Sequence, residues 1–307
     1  MGQLAASSEL VKQILELKRK RKAVLLSHYY QRPEIQDLAD FVGDSLELSR
    51  QAENTDAEVI VFCGVHFMAE SAAILSPDKL VLLPDADAGC PMADMVNAAS
   101  LREEKARLNN PVVVSYVNTS AEVKAESDIC CTSANVIRVV SSLPRDREIL
   151  FVPDQNLGRF AEQRTGRKMS LWPGFCCIHD QLTADEVQKA KAAHPGALLV
   201  VHPECRSEVI ALADHVASTS GMLRYACASP AREFIVGTEE GLLHQLSKQC
   251  PDKAFYTASN GLVCRSMKLT TLEKLALALE TLEPRVSVET RIRERAILAL
   301  ERMLAIV

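Results

Sequence analysis

The chain has 307 residues, of which 48% are hydrophobic and 24% are charged, a composition typical of globular proteins. The net charge of −5 argues against a general nucleic-acid or membrane-surface binder, because neither polyanion attracts an acidic chain. No apolar run approaches the roughly 18 residues that span a bilayer, and residues 1–10 lack the pattern of a secretory signal. We therefore expect a cytoplasmic protein with no nucleic-acid or membrane partner. Its ten cysteines are expected to be reduced thiols, metal ligands or buried small side chains, and not disulfides.

The first third of the chain alternates short apolar strands with amphipathic helices. The predicted helices cover residues 8–22 (capped by Ser7 or Ser8), 34–40, a segment from Leu46, and 67–75. The predicted strands cover residues 23–27, a short segment within 40–45, 58–62 and 80–83.

The same order of elements follows twice more. The second third contains predicted helices at 101–108 and 157–165 and strands at 112–115, 128–133, 149–152 and 169–172. The last third contains helices at 184–193 and 240–248 and strands at 197–201, 214–219, 234–236 and 254–257. Two further helices, 271–282 and 288–304, are separated by Pro284 and are expected to pack across the preceding modules.

Strands that alternate with helices in this way predict small parallel sheets covered by helices. The predicted fold is therefore α/β, with three αβα modules related by pseudo-threefold symmetry around a central cluster site. The modules are expected at residues 1–92, 93–178 and 179–264, with residues 265–307 packing back on them.

Two independent sets of residues repeat with the same period. Cys176 lies 86 residues after Cys90 and 88 residues before Cys264. Three polar triplets, each directly after an apolar run, start 88 and 86 residues apart: His28-Tyr29-Tyr30, Tyr116-Val117-Asn118 and His202-Pro203-Glu204. A spacing shared by two sets indicates a threefold internal repeat. Because ligands bind beyond the carboxyl ends of parallel strands, the repeated polar residues are expected to face one pocket.

The repeated cysteines predict a metal site. Three thiolates can hold a tetrahedral zinc or three irons of a [4Fe-4S] cluster, and either arrangement leaves one metal position open for Lewis-acid chemistry. Burial as small apolar residues is the expectation for Cys63, Cys130, Cys131, Cys227 and Cys250. The repeat alone does not separate Cys176 from the adjacent Cys177.

Hydroxyl and acid-base residues complete the pattern. Ser45, Ser133 and Thr219 each lie 17 residues after the start of a triplet, at a strand-to-helix junction. They could act as simple N-caps, but a helix N-terminus also favours anions, so we expect them to bind carboxylates or phosphate as well. The candidate proton-transfer residues are His28, Tyr30, Tyr116, His202 and Glu204. His179, three residues after Cys176, is a further candidate whose offset is not repeated.

At these residues the sequence resembles the quinolinate synthase family, the A protein of bacterial NAD biosynthesis. The resemblance covers nearly the whole chain and includes SHYYQRPEIQDLADFVGDSLELSR (27–50), AGCPMADM (88–95), YVNTSAEVKAESD (116–128), PDQNLGR (153–159), GFCCIH (174–179), HPEC (202–205) and ASTSGM (217–222). It implies condensation of iminoaspartate with dihydroxyacetone phosphate to quinolinate, with loss of phosphate and two waters. It also implies an L-aspartate oxidase as a supplier of the imine.

The resemblance also assigns roles to residues. It implies a [4Fe-4S] cluster held by Cys90, Cys176 and Cys264, with the fourth iron open to substrate, and so favours Cys176 over Cys177. The implied catalytic residues are Tyr30, Tyr116, His202 and Glu204. The implied substrate-binding residues are His28, Ser45, Tyr116, Asn118, Ser133, His179, His202, Glu204 and Thr219.

Two other functions are compatible with an open metal position. One is an aconitase-like hydro-lyase, which uses the same open iron on a ready-made hydroxy acid. The other is a non-enzymatic Fe-S or zinc sensor, which would not need the repeated hydroxyls and triplets. Their presence favours the enzyme.

Overall fold

The structure is a computed structural model that describes residues 2–306, with side chains described from residue 8 to residue 306. Twelve strands occur in this part of the chain. They are β1 (Ala23–His28), β2 (Phe41–Gly43), β3 (Val59–Cys63), β4 (Leu80–Leu82), β5 (Val112–Tyr116), β6 (Ile129–Cys131), β7 (Ile149–Val152), β8 (Ser170–Leu171), β9 (Leu198–Val201), β10 (His215–Val216), β11 (Glu233–Gly237) and β12 (Ala254–Thr257).

Fifteen α-helices connect or follow these strands in the described residues. They are α1 (Gly2–Lys20), α2 (Pro33–Leu38), α3 (Ser45–Asn54), α4 (His66–Leu75), α5 (Ala98–Arg107), α6 (Ala121–Ala125), α7 (Val136–Ser142), α8 (Gln155–Thr165), α9 (Cys177–Asp180), α10 (Ala184–Ala193), α11 (Ser207–Ile210), α12 (Thr219–Ala228), α13 (Leu242–Gln249), α14 (Leu272–Thr281) and α15 (Thr290–Leu304). Helix α1 begins well before Ser8, so the prediction that Ser7 or Ser8 caps it is wrong. None of these helices is both long enough and apolar enough to cross a membrane.

The strands form three four-stranded sheets with one topology. Their orders are β2-β1-β3-β4, β6-β5-β7-β8 and β10-β9-β11-β12. Neighbouring strands are parallel throughout. Three parallel sheets with the same order confirm the predicted α/β class and the three αβα modules.

The chain divides into two compact units. Unit 1 comprises Met1–Cys90 and Arg265–Glu294 and contains the first sheet. Unit 2 comprises Pro91–Cys264 and Arg295–Val307 and contains the other two sheets. The predicted module boundaries after residues 92, 178 and 264 remain predictions.

Helices of the C-terminal segment complete the cores within each unit. In unit 1, Leu275 and Leu279 of α14 join the cluster formed by Ile14, Leu25 and Val61. The Arg21 guanidinium supports this packing by donating to the carbonyls at the end of α14. In unit 2, buried residues of α15 from Ala296 onward pack inward.

A repeated aspartate fixes the start of the central strand in every sheet. In the second sheet, Asp128 Oδ2 accepts from Val113 N at 2.7 Å, while Asp128 N donates to Val113 O at 3.0 Å. The same pair of bonds joins Asp40 to Leu25 and Asp214 to Leu199. These aspartates lie 88 and 86 residues apart. The repeated acid therefore ties the short second strand to the first, at the edge of the sheet opposite the predicted site.

One pair of cysteines differs from the expectation. Cys227, near the end of α12, and Cys250, directly after α13, form a disulfide with an S–S distance of 2.07 Å. The two helices pack side by side, and this brings the two Cα atoms to 5.7 Å. The expectation that no cysteine forms a disulfide is therefore wrong for this pair.

The repeated aspartate gives a stability prediction. Asp128→Ala removes the acceptor of the Val113 N–H and should lower the free energy of unfolding by about 1–2 kcal/mol. Urea unfolding followed by circular dichroism measures this change. Asp146→Ala, at an exposed acid with no such bond, is the matched control, and an equal effect in both variants would contradict the assignment.

Candidate active site

The predicted acid-base residues of unit 2 lie at the carboxyl ends of central strands. Tyr116 is the last residue of β5, and His202 directly follows β9. Both are buried, with 5% and 3% of their surfaces exposed. Parallel pairing brings the carboxyl ends of neighbouring strands to one edge of each sheet, which is where a ligand site is expected.

Glu204 lies at the centre of this cluster. Its side chain is buried, and Oε1 accepts a hydrogen bond from the Tyr116 hydroxyl at 2.5 Å. Its other oxygen, Oε2, lies 2.6 Å from Nδ1 of His179. The hydrogen bond from Tyr116 therefore joins residues that are 88 positions apart in the sequence.

The surroundings of Glu204 favour its ionised form. Burial alone would raise the pKa of this carboxyl, but the His202 and His179 rings and the hydrogen bonds from His179 and Tyr116 lower it by more. The pKa of Glu204 consequently lies below its ordinary value, and the group is a carboxylate at neutral pH.

His202 has a defined tautomer. Its Nδ1 accepts from Glu204 N at 3.3 Å, so the ring proton is on Nε2, which lies 3.1 Å from Ser133 Oγ. Burial lowers the pKa of His202 to about 3, against the opposing attraction of Glu204. The ring is therefore neutral at physiological pH and presents an N–H donor to the hydroxyl of Ser133.

His179 connects the cluster to Cys176. Its Nδ1 lies 3.2 Å from Cys176 Sγ as well as near Glu204, and its Nε2 lies 2.8 Å from Thr238 Oγ1. The ligand atoms of Cys176, His179 and Glu204 all lie within 4.8 Å of one another, a group that could hold a metal ion. That His179 lies beside a bound cluster remains a prediction.

The predicted hydroxyl residues are not N-caps. In all three modules the preceding residue supplies the side chain that binds the turn: Asp44 caps α3, Ser218 caps α12, and Thr132 Oγ1 accepts from Ala134 N. Ser45 and Thr219 are instead the first residues of their helices. The simple capping explanation is therefore wrong, and the hydroxyl of Ser133 is used in its contact with His202.

Asn118 presents a polar atom without a protein partner. Its Oδ1 is buried and accepts no hydrogen bond within the described part of the chain. The loop that carries it is held by Lys124, a fully buried residue that donates to Thr119 O. A buried unsatisfied oxygen on a rigid loop is typical of a group that binds a ligand or an ordered water.

The remaining predicted residues belong to unit 1. His28 Nδ1 accepts from Tyr30 N at 3.1 Å, the same turn that His202 makes with Glu204. The rings of His28 and Tyr30 are 4.5 Å apart and edge-on. It remains a prediction that a common site includes His28, Tyr30, Ser45 and Cys90 as well as the unit 2 residues.

The cysteines fall into distinct classes. Cys63, Cys130, Cys131 and Cys205 are buried, and burial raises the pKa of the Cys63 and Cys130 thiols to about 12. The three repeated cysteines, Cys90, Cys176 and Cys264, are half-buried, form no disulfide and follow the last strand of their sheets. Cys177 is exposed and is the first residue of α9, whereas Cys176 faces His179. Exposure and contacts therefore separate Cys176 from its neighbour.

Several supporting residues were not predicted from the sequence. Asn156 Nδ2 donates to Asp180 Oδ1 at 2.9 Å and to Glu204 O at 3.2 Å. The second bond fixes the backbone of Glu204. Asp154 is fully buried between the helix α8 and the Cys176 loop. Burial and repulsion by Glu204 raise the pKa of Asp154, which backbone N–H groups partly oppose. The signal that could have found Asp154 is its place two residues after the third strand of its module.

A glycine in the Cys176 loop gives a second stability prediction. A Cβ on Gly174 would lie 2.5 Å from Pro153 O, a backbone atom that cannot move aside. Gly174→Ala should therefore lower the free energy of unfolding by about 1–3 kcal/mol. Gly196→Ala, where nothing lies within 4 Å of the added atom, is the control and should change it by less than about 0.5 kcal/mol. Equal unfolding midpoints for the two variants would contradict this close approach.

Comparison with known proteins places this arrangement in a family. A family model described as quinolinate synthetase A protein matches residues 12–305. A quinolinate synthase of Desulforudis audaxviator is 65% identical over 300 residues, which covers 98% of this chain and 99% of that protein. Quinolinate synthases of Methanoregula boonei and Methanosarcina barkeri are 60% and 56% identical, each over 97% of this chain and 98% of the relative. The chain therefore belongs to the quinolinate synthetase A protein family, which confirms the predicted resemblance and the prediction of a quinolinate synthase enzyme.

Proposed function

We propose that the enzyme condenses iminoaspartate with dihydroxyacetone phosphate to quinolinate, with release of phosphate and two waters, in NAD biosynthesis. The observation that carries this proposal is the buried Tyr116-Glu204-His179 cluster beside Cys176. It stands at the carboxyl ends of parallel strands, where family membership and the repeats both predict substrate chemistry.

We further propose that Cys90, Cys176 and Cys264 hold a [4Fe-4S] cluster. The donor set fits, because each is a half-buried thiol that forms no disulfide and follows the last strand of its module, and thiolates are the ligands of such clusters. The buried Cys63, Cys130, Cys131 and Cys205 are poor alternatives, because burial disfavours their thiolate forms. When bound, the cluster would supply an open iron as a Lewis acid.

Glu204 is the proposed proton-transfer residue. It accepts hydrogen bonds from Tyr116 and His179, which orient the carboxylate and keep it ionised until it takes a proton from substrate. The substrates carry carboxylate and phosphate charges, and negative charge brought close to Glu204 raises its pKa. Substrate binding therefore converts a weak base into a stronger one. Tyr30 is proposed to assist in these transfers.

Hydroxyl and amide groups are proposed to bind the substrate anions. Ser45 and Thr219 lie in the first turns of α3 and α12, where the positive end of the helix dipole favours negative charge. Asn118 Oδ1 offers a buried acceptor, and the neutral His202 keeps Ser133 oriented. His28 completes the proposed substrate-binding set.

The enzyme is proposed to act in the cytoplasm and to receive the imine from an L-aspartate oxidase. An aconitase-like hydro-lyase would need the open iron but not an imine substrate. A non-enzymatic Fe-S or zinc sensor would have no need of the Tyr116-Glu204-His179 cluster.

The proposed reaction is tested by anaerobic turnover of protein with a reconstituted cluster. Freshly generated iminoaspartate and dihydroxyacetone phosphate are supplied, and quinolinate is followed by chromatography. We expect quinolinate from the wild type and none from Cys264→Ser, because two cysteines do not retain the cluster. Protein with a full cluster that makes no quinolinate would overturn the proposed reaction.

The role of Glu204 is tested in the same assay. Glu204→Gln keeps the size of the side chain and removes its basicity, so kcat should fall by about 10²–10⁴-fold. Cluster content should be unchanged, as measured by iron and sulfide analysis. Glu208→Gln, at an exposed position on α11, is the matched control. Wild-type kcat in Glu204→Gln would remove Glu204 from the mechanism.

A further inference from the structure

The loops that carry the repeated cysteines are held by the same backbone hydrogen bond. In each sheet, the loop after the third strand (β3, β7 or β11) donates an N–H to the carbonyl two residues before the cysteine. These bonds are His66 N to Ala88 O at 2.8 Å, Gln155 N to Gly174 O at 2.9 Å and Glu240 N to Leu262 O at 2.9 Å. The residues directly before the three donors are Val65, Asp154 and Glu239.

Asp154 binds the cysteine of its loop directly. Its Oδ2 accepts from Cys176 N at 3.1 Å, and its Oδ1 accepts from Leu157 N at 2.8 Å in the first turn of α8. The side chain is fully buried. One carboxylate thus joins the cysteine loop to the end of a helix.

Glu239 makes the corresponding contacts in the next module. Its Oε1 accepts from Cys264 N at 3.0 Å, and its Oε2 accepts from Gly241 N at 2.7 Å. It too is fully buried. Two acids of different length, 22 and 25 residues before their cysteines, therefore bind the cysteine N–H in the same way.

The third position carries a residue that cannot do this. Val65 is 2% exposed and has no side-chain acceptor. The repeat is consequently conserved in the backbone of all three loops, whereas the carboxylate occurs in only two of them. The hydrogen bonds from the cysteine N–H groups to carboxylates are thus a feature of the Cys176 and Cys264 loops, and the fold does not require them.

We propose that Asp154 and Glu239 are positioning residues for Cys176 and Cys264 as cluster ligands, an inference that rests on the proposed cluster. Each holds the backbone of its cysteine so that the thiolate is oriented before iron binds. Partners that orient ligands in this way commonly contribute tenfold or more to metal retention.

A carboxylate is required because two separate donors bind its two oxygens. The amide of asparagine or glutamine has only one oxygen, so its NH₂ group would face either the cysteine N–H or the helix N–H. The isosteric Asp154→Asn and Glu239→Gln variants therefore lose one bond without leaving a cavity.

The variants are tested after anaerobic reconstitution. Removal of iron by a chelator is followed by the absorbance of the cluster, and the reduced cluster is examined by electron paramagnetic resonance. We expect Asp154→Asn and Glu239→Gln to lose iron about tenfold faster than the wild type and to show a changed resonance spectrum. Asp128→Asn is the matched control, because Asp128 also binds a backbone N–H but at the opposite edge of the sheet.

A second variant separates the cysteine bond from helix capping. Asp154→Ser keeps a good N-cap for α8 but is too short to reach Cys176 as well. We expect circular dichroism and the thermal unfolding of the cluster-free protein to stay near wild type while iron loss is accelerated. Iron loss and a resonance spectrum like those of Asp128→Asn in all three variants would overturn the proposal.

The result also distinguishes this proposal from the proposed function. If the wild type holds no cluster that Cys176→Ser or Cys264→Ser abolishes, the proposed cluster itself fails. If the wild type holds the cluster and makes quinolinate, but the Asp154 and Glu239 variants retain iron normally, only the positioning role fails.

Discussion

Parallel pairing of the strands is the constraint on which the rest of the structure depends. In a parallel sheet all strands begin at one edge and end at the other, so the two edges can have different functions. At the starting edge, Asp40, Asp128 and Asp214 bind the first strand and stabilise the pairing. Tyr116, His202 and Glu204 lie at the edges where the strands of the two unit 2 sheets end. Acids at the first edge serve the fold, whereas polar groups at the second form the candidate site.

Burial of an ionised Glu204 couples the site to the core of unit 2. Removing a carboxylate from water is costly unless hydrogen bonds replace the lost hydration. Tyr116 and His179 provide these bonds from different segments, and Asn156 fixes the Glu204 carbonyl. Arg206 then pairs with Asp180, which Asn156 also contacts. Groups proposed for proton transfer therefore also join β5, α8, α9 and the loop after β9.

Much of this architecture could be predicted from the sequence, because it depends on local pattern. Apolar runs predicted the strands, and β7, α10 and β12 have the predicted bounds. The repeat period predicted which polar residues follow equivalent strands. What could not be predicted depends on contacts between distant segments. The sequence does not show that Glu204 would receive the Tyr116 hydroxyl, or that Asp154 would bind the Cys176 N–H.

Local patterns also gave wrong predictions where neighbouring residues have similar side chains. Ser45 and Thr219 are good N-cap residues, but Asp44 and Ser218 directly before them make the caps. Cys227 and Cys250 resembled buried apolar residues, yet helix packing joined them as a disulfide. A one-residue shift along the chain changes which side chain faces a helix end, and sequence pattern alone does not resolve it.

Valine at position 65 has a consequence for how a repeated scaffold handles an asymmetric ligand. If the three cysteines hold one cluster as proposed, three loops with one backbone and one chemistry would offer it three equivalent orientations. The chain keeps the common backbone in its Val65, Asp154 and Glu239 loops but gives one of them an apolar side chain. The side chain at this position thereby distinguishes one loop from the other two without any change of fold. For the proposed cluster, a difference in one side chain between repeated loops would thus be a way to distinguish its three ligands.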